Sequence, residues 1–178
     1  MFKMILVVMV FTLAACGENS NKSMANKQIS QNKGNITDSS DFNFILDDEL
    51  RTCLDKTGMT VESVHTLVCS GKGIKSLVGI EQLSSLKNVN VSHNQLTDLS
   101  PLSEIKGLQV FYATNNQIES VDALDSLDEL NAISLRSNRL TNVDALYTLP
   151  QLQKLYVQGN IELALDVNKF PKSIIVAI

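Results

Sequence analysis

Apolar residues recur with a period of 22 along the second half of the chain, and the polar positions between them keep the same step. Leucine opens successive units at 86, 108, 130 and 152, and six further apolar slots follow it in each complete unit. Every one of these slots is apolar, although apolar residues make up 44% of the chain. One unit is too short to bury its own apolar side, so the pattern indicates a solenoid of stacked units that share a continuous core.

Each unit follows the spacing L-x-x-L-x-L-x-x-N-x-L, which predicts its local structure. The alternation in a stretch such as Val89-Asn90-Val91 is typical of a short strand with one side buried. An asparagine amide then satisfies backbone groups that a tight turn leaves without partners. The remaining residues are too few for an α-helix and predict extended chain with a 3₁₀ turn. The repeat-turn asparagines are Asn94, Asn116, Asn138 and Asn160.

The array spans residues 64–160 and contains about five units, of which three are strict. A degenerate first unit fills its apolar slots from Val64 to Leu83 but has Lys72 where the asparagine is expected. The last unit keeps the pattern from Leu152 to Asn160 and then loses it. We expect residues 161–178 to form a C-terminal cap, in which 173–178 is a closing strand.

Residues 42–63 predict a helical cap over the N-terminal end of the core. Acidic residues at 47–49 suit a first helical turn, where the helix dipole favours them, and Gly58 suits the position after the last turn. The apolar positions that we expect to cover the core are Phe44, Ile45, Leu50, Leu54 and Met59.

The N-terminus has the composition of a targeting segment. Residues 1–15 carry an early lysine and a short apolar run, which predicts a signal peptide. The run ends in Leu13-Ala14-Ala15-Cys16, which resembles the bacterial lipobox and implies that Cys16 carries acyl chains such as palmitate. The alternative is an ordinary secretory signal with a chance cysteine. Residues 16–41 then form a polar tether, and the resemblance implies a bacterial envelope lipoprotein, with Gly17 favouring the outer membrane.

Two further cysteines remain in the folded part. Cys53 lies on the predicted cap helix, and Cys69 occupies an inward strand slot of the first unit. The cap packs on that strand in this scheme, and an exported chain permits oxidation, so we expect a disulfide between them. Two buried free thiols are the alternative.

The folded part resembles bacterial leucine-rich repeat domains of the internalin-like 22-residue class. The resemblance covers the cap, the stretches at 61–69 and 73–81, and the repeats that follow, above all 94–102. It implies an α/β leucine-rich repeat solenoid: a short horseshoe with a parallel concave β-sheet, an irregular or 3₁₀ convex side and an N-terminal helical cap. The chain is shorter than internalins and shows no wall-binding module, so we do not expect host-cell invasion to carry over.

Binding residues are expected on the concave sheet, where outward strand positions form columns. Tyrosine and arginine there are not required by the repeat and are the types that dominate binding surfaces. We therefore predict a protein or peptide partner; the alternatives are a glycan such as peptidoglycan, self-association through the closing strand, or ordinary solvated residues. The candidate contact residues are Tyr112, Arg136, Tyr156, Asn90, His93 and Lys154.

Charge and residue types argue against several other functions. The net charge is −4 and no basic run of the kind that binds nucleic acid occurs. The only histidines, His65 and His93, stand in no metal-ligand or nucleophile motif. We therefore predict no enzymatic activity, no metal and no cofactor.

Overall fold

The computed structural model describes residues 41–178. The predicted signal peptide, the predicted lipidation site Cys16 and nearly all of the predicted tether lie outside the described residues. One α-helix is followed by six short strands, of which the first five are formed by the alternating stretches of the five repeat units. The elements are α1 Asp48–Asp55, β1 Thr66–Val68, β2 Asn88–Asn90, β3 Val110–Tyr112, β4 Ala132–Ser134, β5 Lys154–Tyr156 and β6 Ile175–Ala177.

The six strands form one parallel sheet in the order of the chain, from β1 to β6. The middle residues of neighbouring strands are direct partners, as in the pairs Leu67 with Val89 and Phe111 with Ile133. These middle residues face the core, while the first and third residues of each strand face outward. The sheet has one strand more than the five repeat units because β6 pairs with β5 in the same parallel sense.

Short 3₁₀ helices lie on the side of the core opposite the sheet. They occur once in each unit because the residues between one repeat-turn asparagine and the next leucine leave room for a single tight turn. Those of the array are Ile80–Gln82, Ser100–Glu104, Asp122–Leu124 and Asp144–Leu146, and two more at the ends are Val61–Ser63 and Val167–Lys169. The predicted leucine-rich repeat solenoid with a helical cap is confirmed.

The repeat-turn asparagines join each unit to the one before it. Nδ2 of Asn116 donates to the carbonyl oxygens of Ala113 at 3.0 Å in its own unit and Val91 at 3.1 Å in the preceding unit. Its Oδ1 accepts a hydrogen bond from the backbone N–H of Leu96, also in the preceding unit, at 3.0 Å. Asn138 makes the same three bonds one unit further on. We call this series of bonds the asparagine ladder. Each of its asparagines binds the unit that precedes its own in the chain.

The cap is tied to the first unit by a polar and a covalent link. Oδ1 of Asp47 accepts from the first-turn amides of α1, while its Oδ2 accepts from the backbone N–H of Lys75 and Ser76 at 2.8 and 3.1 Å. The predicted disulfide between Cys53 and Cys69 is confirmed, with the Cα atoms 6.0 Å apart. One aspartate side chain thus caps the helix and anchors it to the repeat beneath.

The predicted cap was wrong in two of its apolar positions and in the exact place of its glycine. Met59 does not cover the core, because it lies beyond the helix and is 43% exposed. Phe42, which the prediction left out, is buried instead and packs edge-on against Phe44. Gly58 has a left-handed backbone as expected but lies two residues after the helix C-cap Lys56, since one further hydrogen-bonded turn intervenes.

The other end of the core is closed by the residues that lead into β6. Phe170 is buried there, and its ring centroid lies 4.5 Å from that of Tyr147. Leu163, Leu165 and Ile174 are partly buried against the same cluster. The last repeat is therefore covered by apolar side chains, while the outer edge of β6 has no further strand within residues 41–178.

Candidate functional site

The outer face of the sheet is built from three positions in each unit. We define the sheet face as the first and third residues of each strand together with, for β1 to β5, the residue two positions after the end of the strand. Because the strands are in register, these positions form columns that cross the sheet at right angles to the strands. In this fold the sheet face is the concave side of the solenoid.

A trough runs along β4 in the middle of the sheet face. Its floor consists of Ala132 and Ser134, which are only 6% and 7% exposed although they point outward. They are buried because larger side chains stand on both sides: Tyr112 and Tyr156 are the direct strand neighbours of Ser134. The two tyrosines start from backbones about 10 Å apart, two strand spacings. We call this feature the β4 trough.

Arg136 lies at one end of the β4 trough and is held in place by its neighbours. Its Nε donates to Oε1 of Gln158 at 2.8 Å, and its Cζ lies 4.4 Å from the ring centroid of Tyr156. Hydrogen bonding and the cation–π contact together limit the rotamers of the arginine. They also cover one face of the Tyr156 ring, so a ligand can reach only the rest of it.

Asn90 is engaged within the sheet face itself. Its Oδ1 accepts hydrogen bonds from the hydroxyl of Ser70 and from the backbone N–H of Ser92, both at 3.1 Å. The hydroxyls of Thr114 and Ser134 also lie 2.9 Å apart. These polar residues are therefore hydrogen-bonded within the sheet face, whereas Arg136 and Lys154 are exposed.

His93 belongs to a column that the sequence analysis did not recognise. Five residues at the period of 22 have a left-handed backbone, with φ between 52° and 79°: Gly71, His93, Asn115, Ser137 and Gly159. This conformation turns the chain just before each repeat-turn asparagine. Nδ2 of Asn115 donates to Nδ1 of His93 at 3.0 Å, so His93 lies on the rim of the sheet face, away from Tyr156 and Lys154. The glycines and the asparagine at this period were the signal that could have revealed the column.

Charge is distributed unevenly between the sheet face and the rest of the described chain. No position of the sheet face is aspartate or glutamate, while Arg136 and Lys154 are both basic. Ion pairs among residues 41–178 join Arg51 to Asp48 and Lys169 to Asp144, so neither sheet-face cation has a carboxylate partner there. The acidic side chains of residues 41–178 therefore lie outside the sheet face.

Among residues 41–178, the clear electrostatic perturbation lies away from the sheet face, at Asp98. The hydroxyl and the backbone N–H of Ser100 donate to Oδ1 of Asp98 at 2.6 and 2.8 Å, and these hydrogen bonds lower the pKa of the Asp98 carboxyl. The contact fixes the turn that leads into the 3₁₀ helix at Ser100–Glu104 and leaves the sheet face unchanged.

Other features of the described residues offer no competing chemistry. A cleft of about 440 Å³ lies beside the repeat turns of the last units, lined by Glu119, Asn138, Arg139, Thr141, Ile161 and Glu162. Residues 41–178 contain no cluster of three histidine, cysteine or acidic side chains placed to hold a metal ion. Their single α-helix is too short to cross a membrane.

Comparison with solved structures places the chain beside internalins, which are leucine-rich repeat proteins. It is 28% identical to the internalin inlF from Listeria monocytogenes, with a TM-score of 0.68, over 71% of this chain and 40% of that one. The functional domain of InlJ from the same organism has the same fold at 19% identity and a TM-score of 0.53, over 71% of this chain and 35% of that one. This chain thus spans well under half the length of both neighbours. No protein-family model matches it.

Proposed function

We propose that this chain is a protein-binding module that engages its partner through the sheet face. The observation that carries the proposal is the β4 trough, in which a small-residue floor lies between two tyrosines and ends at a held arginine. Tyrosine and arginine contribute most binding energy in protein interfaces, and pre-ordered side chains lose little entropy on binding. The internalin-like fold, whose members usually bind proteins, supports the same conclusion.

The size of the sheet face limits the partner. Six strands spaced about 4.8 Å apart span roughly 24 Å, and each contributes only a short outward stretch. A standard protein interface uses about 800 Å² on each partner, more than such a face offers. A peptide segment, a loop or a small protein therefore fits the sheet face best.

We further propose that the module is lipid-anchored in a bacterial cell envelope, in the outer membrane, through Cys16. The supporting observation is the sequence Leu13-Ala14-Ala15-Cys16 after a short apolar run. Metabolic labelling with palmitate tests this proposal directly. We expect the label on the wild-type protein in the membrane fraction, and none on a Cys16→Ala variant; label on that variant would refute it.

Photo-crosslinking in cells tests the binding function. Benzoylphenylalanine in place of Tyr112 positions the reactive group on the wall of the β4 trough. We expect one discrete protein adduct, which mass spectrometry can identify. The adduct is expected to disappear with Arg136→Glu, which reverses charge at the end of the trough.

The matched control is Arg139→Glu. Arg139 is an exposed arginine of the same unit that lies outside the sheet face, beside the cleft. The two variants have the same net charge, so loss of the adduct in both would indicate a general charge effect and refute the site. Absence of any adduct from a correctly folded and localised protein would refute the function.

Self-association is a second candidate, and the edge strand β6 favours it. The outer edge of β6 is unpaired within residues 41–178, and Ile175 on it is 56% exposed. An apolar strand edge tends to pair with another strand. Light scattering that shows only monomer at high concentration would exclude this candidate. A glycan ligand is less well supported, because Arg136 already covers one face of the Tyr156 ring.

A further inference from the structure

We propose that the β4 trough binds an extended peptide segment with carboxylates at its first and fifth residues and an apolar side chain at its third. This inference rests on the proposed protein-binding function and specifies the chemistry of the partner. It follows from three features of the sheet face: the sign of its charges, their spacing along β4, and what lies between them.

The sign of the charge points to an acidic partner. Arg136 and Lys154 are the charged residues of the sheet face, and no ion pair within the described residues involves either of them. No sheet-face position is acidic, so a carboxylate above the trough meets two cations and no acidic side chain of the sheet face. A basic segment would instead meet repulsion without compensation.

The backbone positions that carry the two cations are spaced as in an extended chain. Lys154 is the direct strand neighbour of Ala132, and Arg136 lies four residues further along the β4 line. At about 3.3 Å per residue the two levels are roughly 13 Å apart. In an extended peptide, residues one and five are separated by the same distance and point to the same side.

The middle of the trough suits an apolar side chain. Midway between the two cation levels stand Tyr112, Ser134 and Tyr156, which are direct partners across three strands. The hydroxyl of Ser134 is already hydrogen-bonded to Thr114, so the floor presents little free polarity. The third residue of a bound peptide lies at this level, where two aromatic rings can bury its side chain.

Fluorescence anisotropy with short labelled peptides tests the inference on the full chain. The probe contains the core Glu-Ser-Leu-Ser-Glu between glycine–serine flanks. One matched peptide has glutamine in place of both glutamates, and another, Glu-Glu-Ser-Leu-Ser, has the same composition with the wrong spacing. We expect the probe to bind at least tenfold more tightly than either, and its affinity to fall between 50 and 300 mM salt.

Variants of the protein locate the contact. Arg136→Glu is expected to weaken binding of the probe at least tenfold, while the control Arg139→Glu leaves it within twofold. The glutamine peptide is expected to respond to neither change. Equal binding of the glutamate and glutamine peptides, equal binding of the wrongly spaced peptide, or no binding of any of them up to millimolar concentration would overturn the inference.

Failure of this inference can be distinguished from failure of the proposed protein-binding function. If crosslinking from position 112 captures a protein whose crosslinked segment lacks the two carboxylates, the inference is wrong and the binding function stands. If no protein is captured, the function itself is wrong. Binding of polygalacturonate, an anionic polysaccharide, in an Arg136-dependent manner without peptide binding would overturn the inference in favour of a glycan.

Discussion

The asparagine ladder predicts a large loss of stability when the side chain of one repeat-turn asparagine is removed. In the Asn116→Ala variant, the backbone N–H of Leu96 loses its side-chain partner, and the carbonyl oxygens of Val91 and Ala113 each lose one of two. Their second partners, Nδ2 of Asn94 and Nδ2 of Asn138, remain. All three bonds are buried. The two carbonyl bonds contribute about 1 kcal/mol net each, and the buried N–H of Leu96 left without a partner costs about 1–3 kcal/mol, so we expect a loss of roughly 3–5 kcal/mol.

Such a loss is a large part of the total stability of a domain, which is about 5–15 kcal/mol. Urea unfolding measures it through the shift of the midpoint at constant slope. The chain has no tryptophan, so unfolding is followed by circular dichroism and tyrosine fluorescence, and coincidence of the two curves supports a two-state treatment.

The matched control is Asn142→Ala. Asn142 is an exposed asparagine of the neighbouring unit, and its side chain accepts one hydrogen bond from the backbone N–H of Asp144 at 3.3 Å. We expect this variant to lose about 0.5 kcal/mol or less. A loss under about 1 kcal/mol for Asn116→Ala, or equal losses for the two variants, would refute the reasoning that the ladder bonds stabilise the stack.

Three further predictions concern stability. Replacing Cys53 and Cys69 by alanine should lower the free energy of unfolding by about 3 kcal/mol, because the disulfide closes a loop with a separation of 16 residues; an unchanged denaturant midpoint would contradict this. Gly79→Ala should lower the free energy of unfolding by about 3 kcal/mol, since the residue has φ +103° and a Cβ there would overlap the backbone of the cap. The control Gly107→Ala, where a Cβ would meet open space, should change stability little. Lys72→Asn should raise the free energy of unfolding by less than about 0.5 kcal/mol. A repeat-turn asparagine binds backbone groups 20 and 25 residues earlier, and before position 72 those residues belong to the cap helix and its N-cap rather than to a repeat unit. A gain of about 2 kcal/mol would disprove that account.

The repeat made most of the fold predictable because each inward slot is constrained by the same physical requirement. Phe111 and Ile133 occupy equivalent slots and are both fully buried, as the alternation indicates. The cap was less predictable, since it occurs once and has no periodic copy to compare with. Phe42 lies inside and Met59 outside, and hydrophobicity alone does not distinguish them.

The site was predictable in its residues and not in its shape. Columns of outward positions follow from the period, so Tyr112, Tyr156 and Arg136 could be placed on one face. That Ser134 becomes buried between the tyrosines depends on side-chain volumes across three strands. The contact of Arg136 with Gln158 and Tyr156 depends on rotamers, which a one-dimensional pattern does not contain.

The backward direction of the asparagine ladder has a consequence for the order in which the chain acquires its structure. The backbone N–H of Leu96 has no side-chain partner until the unit that carries Asn116, 20 residues later, has folded against it, and Ile118 depends in the same way on Asn138. Each unit is therefore completed only by the next one. We expect ordering to advance toward the C-terminus one unit at a time, with the disulfide-linked cap as the fixed starting point.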